Sequence, residues 1–154
     1  MIQLKSILVP TDFSENAATA FSYAKDFAEA FGGEIIVAHI TEPDIYFGYP
    51  ATVPIGLEGM WAEIKDVVDQ RFEEVRAAFG DDVDIRTVHR DGSAAQKLIE
   101  LAKEEGVSLI VIATHGHTGL KHLFLGSTAE RVVREAPCPV LTVHVGDPKT
   151  GGEH

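Results

Sequence analysis

Hydrophobic residues fall into two alternating kinds of segment along the chain. Short apolar runs are typical of buried strands, and apolar residues that recur every three or four positions are typical of helices with one buried face. The runs lie at 5–10, 34–40, 83–89, 107–113 and 140–145, and the helical segments lie at 14–31, 60–79, 93–106 and 127–136. Strict alternation of strand and helix predicts a parallel five-stranded sheet with helices on both faces.

The first helical segment shows the pattern most clearly. Two glycines, Gly32 and Gly33, end it, and its apolar stripe consists of Ala17, Ala20, Phe21, Ala24, Phe27, Ala28 and Phe31. By contrast, residues 41–59 are rich in Pro, Gly and aromatics and have no clear period, which predicts a long loop or lid. Its aromatics Tyr46, Phe47 and Tyr49 either close over a ligand or pack on the core.

Residues 113–131 carry the strongest chemical signal. A β-branched strand ends at Ala113, Gly116 and Gly126 follow, and Ser127 with Glu130 has the spacing of a capping box at a helix start. Glycine lets backbone amides approach an anion, and a helix N-terminus attracts one. The segment therefore predicts a phosphate site, although the same residues are also expected where a helix is simply capped. Ser93 and Gln96 have the same capping spacing.

Asp12 is the second candidate. Ligands of open parallel sheets bind beyond the carboxyl ends of the strands, and the sequence there continues from the first strand as Pro10, Thr11 and Asp12. If the fourth strand lies beside the first, the Asp12 carboxylate can accept hydrogen bonds from sugar hydroxyls or an exocyclic amine. The alternative is that Asp12 or Ser14 only caps the first helix.

Composition narrows the class of protein. The chain has 154 residues, of which 45% are hydrophobic, and this predicts one soluble domain. A formal net charge of −11 argues against non-specific binding to nucleic acid or to anionic membranes. With a single cysteine, Cys138, and no signal peptide or spanning apolar run, we expect a cytoplasmic protein without membrane insertion.

The sequence lacks the residues or motifs that several other kinds of functional site require. The histidines at 115, 117 and 122 have no Cys or carboxylate nearby to complete a metal site, so no metal is expected. No GxSxG, GxxxxGK[ST] or GxGxxG sequence occurs, which argues against a nucleophile-elbow hydrolase, a P-loop NTPase and a dinucleotide dehydrogenase. Cys138, between two prolines, is expected to be buried apolar filling.

Three stretches resemble the universal stress protein family. They are ILVPTDFSENAATA at 7–20, VAHITEP at 37–43 and THGHTGLKHLFLGSTAERVVREAPCPVLTV at 114–143. The nucleotide-binding branch of that family has Gly, two residues, Gly, nine residues, then Gly with Ser or Thr. Gly116, Gly126 and Ser127 match this motif, and Ala113 replaces its first glycine. An alanine is compatible there if its backbone is ordinary extended chain.

The resemblance implies a fold and a site. The fold is a single open-twisted, Rossmann-like sheet of the adenine nucleotide alpha hydrolase type, with strand order 3-2-1-4-5, over residues 1–146, followed by a flexible tail at 147–154. His117 stands where family members often carry Arg or Lys, and Lys121 is the nearest cation in sequence. The implied ATP-binding residues are Pro10, Thr11, Asp12, Ile40, Ala113, Gly116, His117, Gly126, Ser127 and Thr128.

The function implied is ATP binding, with or without Mg²⁺, in a non-catalytic regulatory protein of the stress response. Occupancy by the nucleotide would bias a conformation or an unidentified protein partner. The family also implies a homodimer through Val140 to Val145, in keeping with the general need to cover an apolar edge strand. A nucleotide-free interaction module, a slow ATPase and a receptor for AMP or cyclic AMP remain alternatives.

Overall fold

The computed structural model describes residues 1–43, 57–115 and 125–145. Within these ranges strands and helices alternate, as the hydrophobic pattern predicted. The strands are β1 (Ser6–Pro10), β2 (Glu34–Thr41), β3 (Ile85–Asp91), β4 (Leu109–Ala113) and β5 (Val140–Val143). The helices are α1 (Glu15–Phe31), α2 (Leu57–Phe79), α3 (Ala94–Glu104) and α4 (Ser127–Glu135).

All the strands pair in parallel in the order β3-β2-β1-β4-β5, which confirms the predicted topology. From β1 the chain adds β2 and β3 toward one edge of the sheet, and then adds β4 and β5 toward the other edge. The point between β1 and β4 is therefore a topological switch point, where a crevice opens beyond the carboxyl ends of the strands. Pro10 and Ala113 end the two strands that flank this point. The topology therefore brings the carboxyl end of the first strand beside that of the fourth, as expected.

Each face of the sheet has its own hydrophobic core. Helices α1 and α2 cover one face, where Val9, Val37 and Phe72 are buried. Helices α3 and α4 cover the other face, where Ile40 and Ile112 lie among the buried residues. This division follows from the period of two in a strand, because successive side chains point to opposite faces.

The ends of several elements differ from the predicted ones. β3 begins at Ile85 rather than residue 83, β4 begins at Leu109 rather than 107, β5 ends at Val143 rather than 145, and α2 begins at Leu57 rather than residue 60. These ends are set by backbone hydrogen bonds, which hydrophobic periodicity does not report. Phe31 was wrongly assigned to the buried stripe of α1, since 42% of its surface is exposed.

The predicted filling role of Cys138 is partly met. The cysteine is only partly buried, and it packs against the core between the sheet and helices α3 and α4. Burial raises the pKa of its thiol, against a smaller opposing effect of a backbone hydrogen bond at Ile110. No helix in the described ranges combines the length and the apolar character needed to cross a bilayer.

Candidate functional site

A cavity of about 320 Å³ lies at the carboxyl edge of the sheet, over the switch point between β1 and β4. Its volume is at the lower end of the range seen for small-molecule sites. The floor is apolar and includes Ala38, Ile40 and Ile112, and the N-terminal ends of α3 and α4 flank it. Such a pocket, apolar at its base and polar at its rim, suits a flat ring system with an anionic tail.

Most of the residues predicted for the site come together here. The residues that line the cavity include Pro10, Thr11, Asp12, Ile40, Ala113, Gly126, Ser127 and Thr128. Gly116 and His117 lie outside the described residues, and so do Lys121 and the aromatics Tyr46, Phe47 and Tyr49. The sequence therefore placed eight of its ten candidates around one cavity, and the described ranges do not include the other two.

The turn between β1 and α1 fixes the position of Asp12. Its Oδ1 accepts hydrogen bonds from the backbone N–H of Ser14 at 3.0 Å and from the Ser14 hydroxyl. Ser14 in turn caps α1, since its Oγ accepts from the N–H of Ala17 at 3.1 Å. The capping role considered from the sequence is therefore present, and it coexists with the placement of Asp12 on the cavity wall.

Phe13 holds the same turn in an unusual conformation. Its φ of 63° is in the left-handed region, which costs free energy for a residue with a Cβ. Its N–H donates to Thr11 Oγ1 at 2.9 Å, and its ring lies 4.5 Å from the ring of His39. His39 Nδ1 is 2.9 Å from the Thr11 carbonyl oxygen, which can only accept, so this nitrogen carries the proton. The turn is thus held rigidly on two sides.

Helix α4 presents an uncapped N-terminus to the cavity. The capping box predicted for Ser127 and Glu130 is wrong, because Gly126 is the N-cap residue, Ser127 is the first helical residue, and no side-chain cap hydrogen bond forms. The backbone carbonyl of Gly126 accepts from the N–H of Glu130 at 2.9 Å. The amides of the first turn therefore lack intrahelical acceptors and can donate to an anion.

Backbone hydrogen bonds place Gly126 against the end of β4. Its N–H donates to the Thr114 carbonyl at 2.7 Å, while the Thr114 N–H donates to Val143 on β5 at 3.0 Å. Ala113 is buried in the strand and is not among the residues with positive φ, so its backbone accepts a methyl group as expected. The Thr114 hydroxyl oxygen is buried without a hydrogen-bond partner in the described part of the chain.

The N-terminus of α3, on the other side of the cavity, is capped differently from the prediction. Ser93 makes no side-chain cap hydrogen bond, so the box with Gln96 is not formed. The carboxylate of Glu42 replaces it, since Oε1 accepts from the N–H of Ala94 at 2.8 Å. Sequence reasoning missed Glu42 because the hydrogen bond joins residues that are 52 positions apart in the chain. The only sequence signal for Glu42 was its location just after a predicted strand.

The charged groups around the cavity are mostly acidic. Asp12 and Glu42 line it together with His39 and His115, and no Lys or Arg is among its lining residues within the described ranges. An anionic ligand would therefore depend on backbone N–H donors of α4 in this part of the site. Of the three histidines weighed as metal ligands, only His115 lies in the described ranges.

Comparison with known proteins gives a consistent result. Residues 3–144 match the model of the universal stress protein family. The chain is 33% identical over 144 residues to universal stress protein MJ0531 of Methanocaldococcus jannaschii, covering 90% of this chain and 81% of that one. It is 28% identical over 155 residues to universal stress protein MJ0577 of the same organism, with 92% and 96% covered.

Solved structures share the fold. That of MJ0577 superposes with a TM-score of 0.79 at 27% identity, covering 95% of this chain and 99% of the other. A universal stress protein crystallised in complex with cAMP superposes with a TM-score of 0.65 at 24% identity, covering 93% and 98%. At that lower identity the second comparison supports the fold alone.

Proposed function

The chain belongs to the universal stress protein family, and from that premise we propose that it binds ATP and acts as a regulatory protein rather than an enzyme. The observation that carries the proposal is the cavity itself. An acidic side chain held by a rigid turn, Asp12, lies on its wall, and the uncapped N-terminus of α4 opens into it. Occupancy by the nucleotide biases the conformation of the protein or its binding to a partner protein.

Each part of the nucleotide has a matching group. The Asp12 carboxylate accepts hydrogen bonds from the ribose hydroxyls, and the main chain of Ile40 contacts the adenine edge. The phosphates accept from the amides of Ser127 and Thr128, where the helix dipole favours negative charge. They approach over Gly126, which has no Cβ and whose own N–H is already donated to the Thr114 carbonyl. Gly116 and His117 belong to the proposed phosphate loop and lie outside the described residues. The proposal covers ATP with or without a bound Mg²⁺ ion.

One observation favours the rival function, a nucleotide-free interaction module. The described lining residues include two carboxylates and no Lys or Arg, and Ala113 replaces the first motif glycine. This combination makes the cavity less attractive to a triphosphate than a basic one would be. The helix N-terminus still favours nucleotide binding, because its amides are already oriented and need no counter-charge to donate.

The deciding experiment is to denature the freshly purified protein and identify any released nucleotide by chromatography and mass spectrometry. We expect ATP or ADP in nearly stoichiometric amount, or stabilisation of an empty preparation by about 2.7 kcal/mol when ATP is added at a hundredfold excess over its dissociation constant. An empty protein whose stability ignores added ATP would favour the interaction module. Release of AMP or cyclic AMP would favour a receptor for those nucleotides, and turnover of ATP would favour a slow ATPase.

We further propose that the protein is a cytoplasmic homodimer formed through β5. The strand pairs with β4 on one side through Pro139 and Val143, whose carbonyls accept from Ile110 and Thr114. Successive residues of a strand direct their N–H and C=O groups to opposite sides, so Leu141 also faces β4, whereas Val140 and Thr142 face away from it. Thr142 therefore offers its backbone to a second copy of the chain at an edge that has no partner strand within the described residues.

Thr142→Pro tests this interface. Proline removes the outward N–H of an edge position and leaves the bonds to β4 in place, so we expect the dimer to weaken at least about tenfold while the monomer stays folded. Thr142→Ala keeps the N–H and should dimerise normally. Sedimentation equilibrium measures both variants. A monomeric wild-type protein, or a proline variant that dimerises as tightly, would contradict the proposed interface.

A further inference from the structure

The two helix N-termini beside the cavity differ in one respect. The first turn of α4 has no side-chain cap, whereas the first turn of α3 is capped by the Glu42 carboxylate. Both ends line the same cavity, since Ala94 and Ser127 are among its lining residues. Because α3 already holds a negative charge, an anionic group is repelled from that end and directed to α4.

This asymmetry orients a nucleotide. Glu42 follows β2, α4 follows β4, and β1 lies between these strands, so the two ends of the cavity are about 10 Å apart. With the phosphates on α4, the base reaches the β2 side. Ile40 and Leu98 provide an apolar surface there, and Glu42 lies at its rim.

The geometry of Glu42 leaves one carboxylate oxygen available to a ligand. Oε1 is held at 2.8 Å by the N–H of Ala94, which fixes the orientation of the carboxylate. Oε2 makes no hydrogen bond within the described part of the chain, and the side chain is only partly buried. An ionised carboxylate is an acceptor only, so in place of water this oxygen can accept from an N–H or O–H group of a ligand in the cavity.

We infer that Glu42 is a specificity-determining residue that accepts a hydrogen bond from the exocyclic amino group of a purine base. The inference rests on the proposed binding of an adenine nucleotide and extends it by assigning the reader of the base to a side chain. Adenine carries such a donor at N6, whereas a purine without the amine would leave the oxygen unpaired. A site built around a donor discriminates against an analogue that lacks it.

The test compares ATP with purine riboside 5′-triphosphate, which lacks only the amine. Wild-type protein should bind ATP about tenfold more tightly, the value of one hydrogen bond to a charged group. In Glu42→Gln the amide oxygen must accept from the Ala94 N–H, so its NH₂ group faces the base. That variant should lose the preference for ATP over the analogue.

A purely structural role of Glu42 predicts a different result. The glutamine variant still caps α3, so under that role the ratio of its affinities for the two triphosphates should match that of the wild type, because removal of the charge acts on both alike. An unchanged ratio, or a wild-type protein that prefers GTP, would overturn the inference and leave nucleotide binding intact. A wild-type protein that binds neither triphosphate would instead overturn the proposed function. Ser93→Ala, which removes a side chain without a cap bond at the same helix start, is the matched control and should keep the wild-type ratio.

Discussion

Gly33→Ala should lower the free energy of unfolding by about 3 kcal/mol, combining left-handed backbone strain with overpacking. Gly33 has a φ of 104°, a conformation that residues with a Cβ rarely adopt. A Cβ built there would lie 2.4 Å from the backbone carbonyl oxygen of Leu4, and a carbonyl of the main chain cannot rotate away as a side chain can. Equilibrium denaturation in urea measures the loss as a shift of the midpoint at constant slope.

Gly32→Ala is the matched control for this prediction. Gly32 also has a positive φ, 77°, but a Cβ there meets no atom within 4 Å. Its replacement should therefore cost only the strain of a backbone with φ 77° and ψ −178°, and so less than Gly33→Ala, which adds the contact with Leu4. If the two alanine variants lose the same free energy of unfolding, the contact with Leu4 does not determine the loss in Gly33→Ala. The segment before β1 would then lie less close to the start of β2 than the contact distance indicates.

The fold was predictable because periodicity reports burial directly. A run such as 107–113 and the stripe of α1 identify which segments are covered on both faces and which on one, and strict alternation leaves few topologies. The order of the five strands, which the family resemblance implied, is confirmed as well. Element ends and caps were harder, because they depend on individual hydrogen bonds whose partners are distant in sequence.

The two capping boxes show this limit. Ser93 and Ser127 both have the correct local spacing, yet neither side chain caps its helix. At α3 a carboxylate from the end of another strand, Glu42, takes the place of the local serine. At α4 the cap falls one residue earlier than the motif suggests, on Gly126, so that Ser127 is already helical. In both cases the tertiary arrangement of the cavity overrides a local preference that is worth only about 1 kcal/mol.

Gly126→Val should weaken ATP binding by at least about a hundredfold, equivalent to roughly 2.7 kcal/mol. Gly126 has φ −66° and ψ 160°, which a β-branched residue also adopts, and its Cβ would lie 3.2 Å from the Thr114 carbonyl oxygen, so only a small backbone adjustment is needed. The two γ-methyl groups would then stand over the amides that begin α4. Phosphate oxygens could no longer approach these donors.

Isothermal titration calorimetry of wild type, Gly126→Ala and Gly126→Val separates the phosphate cradle from the fold. The alanine variant adds only the Cβ and should lose less than about tenfold in affinity, while circular dichroism should show all three proteins folded. If the wild type binds ATP and the valine variant binds it equally well, the phosphates do not lie on the N-terminus of α4. In that event the opening of this helix into the cavity would have to serve another ligand, because uncapped first-turn amides remain strong donors whether or not a nucleotide uses them.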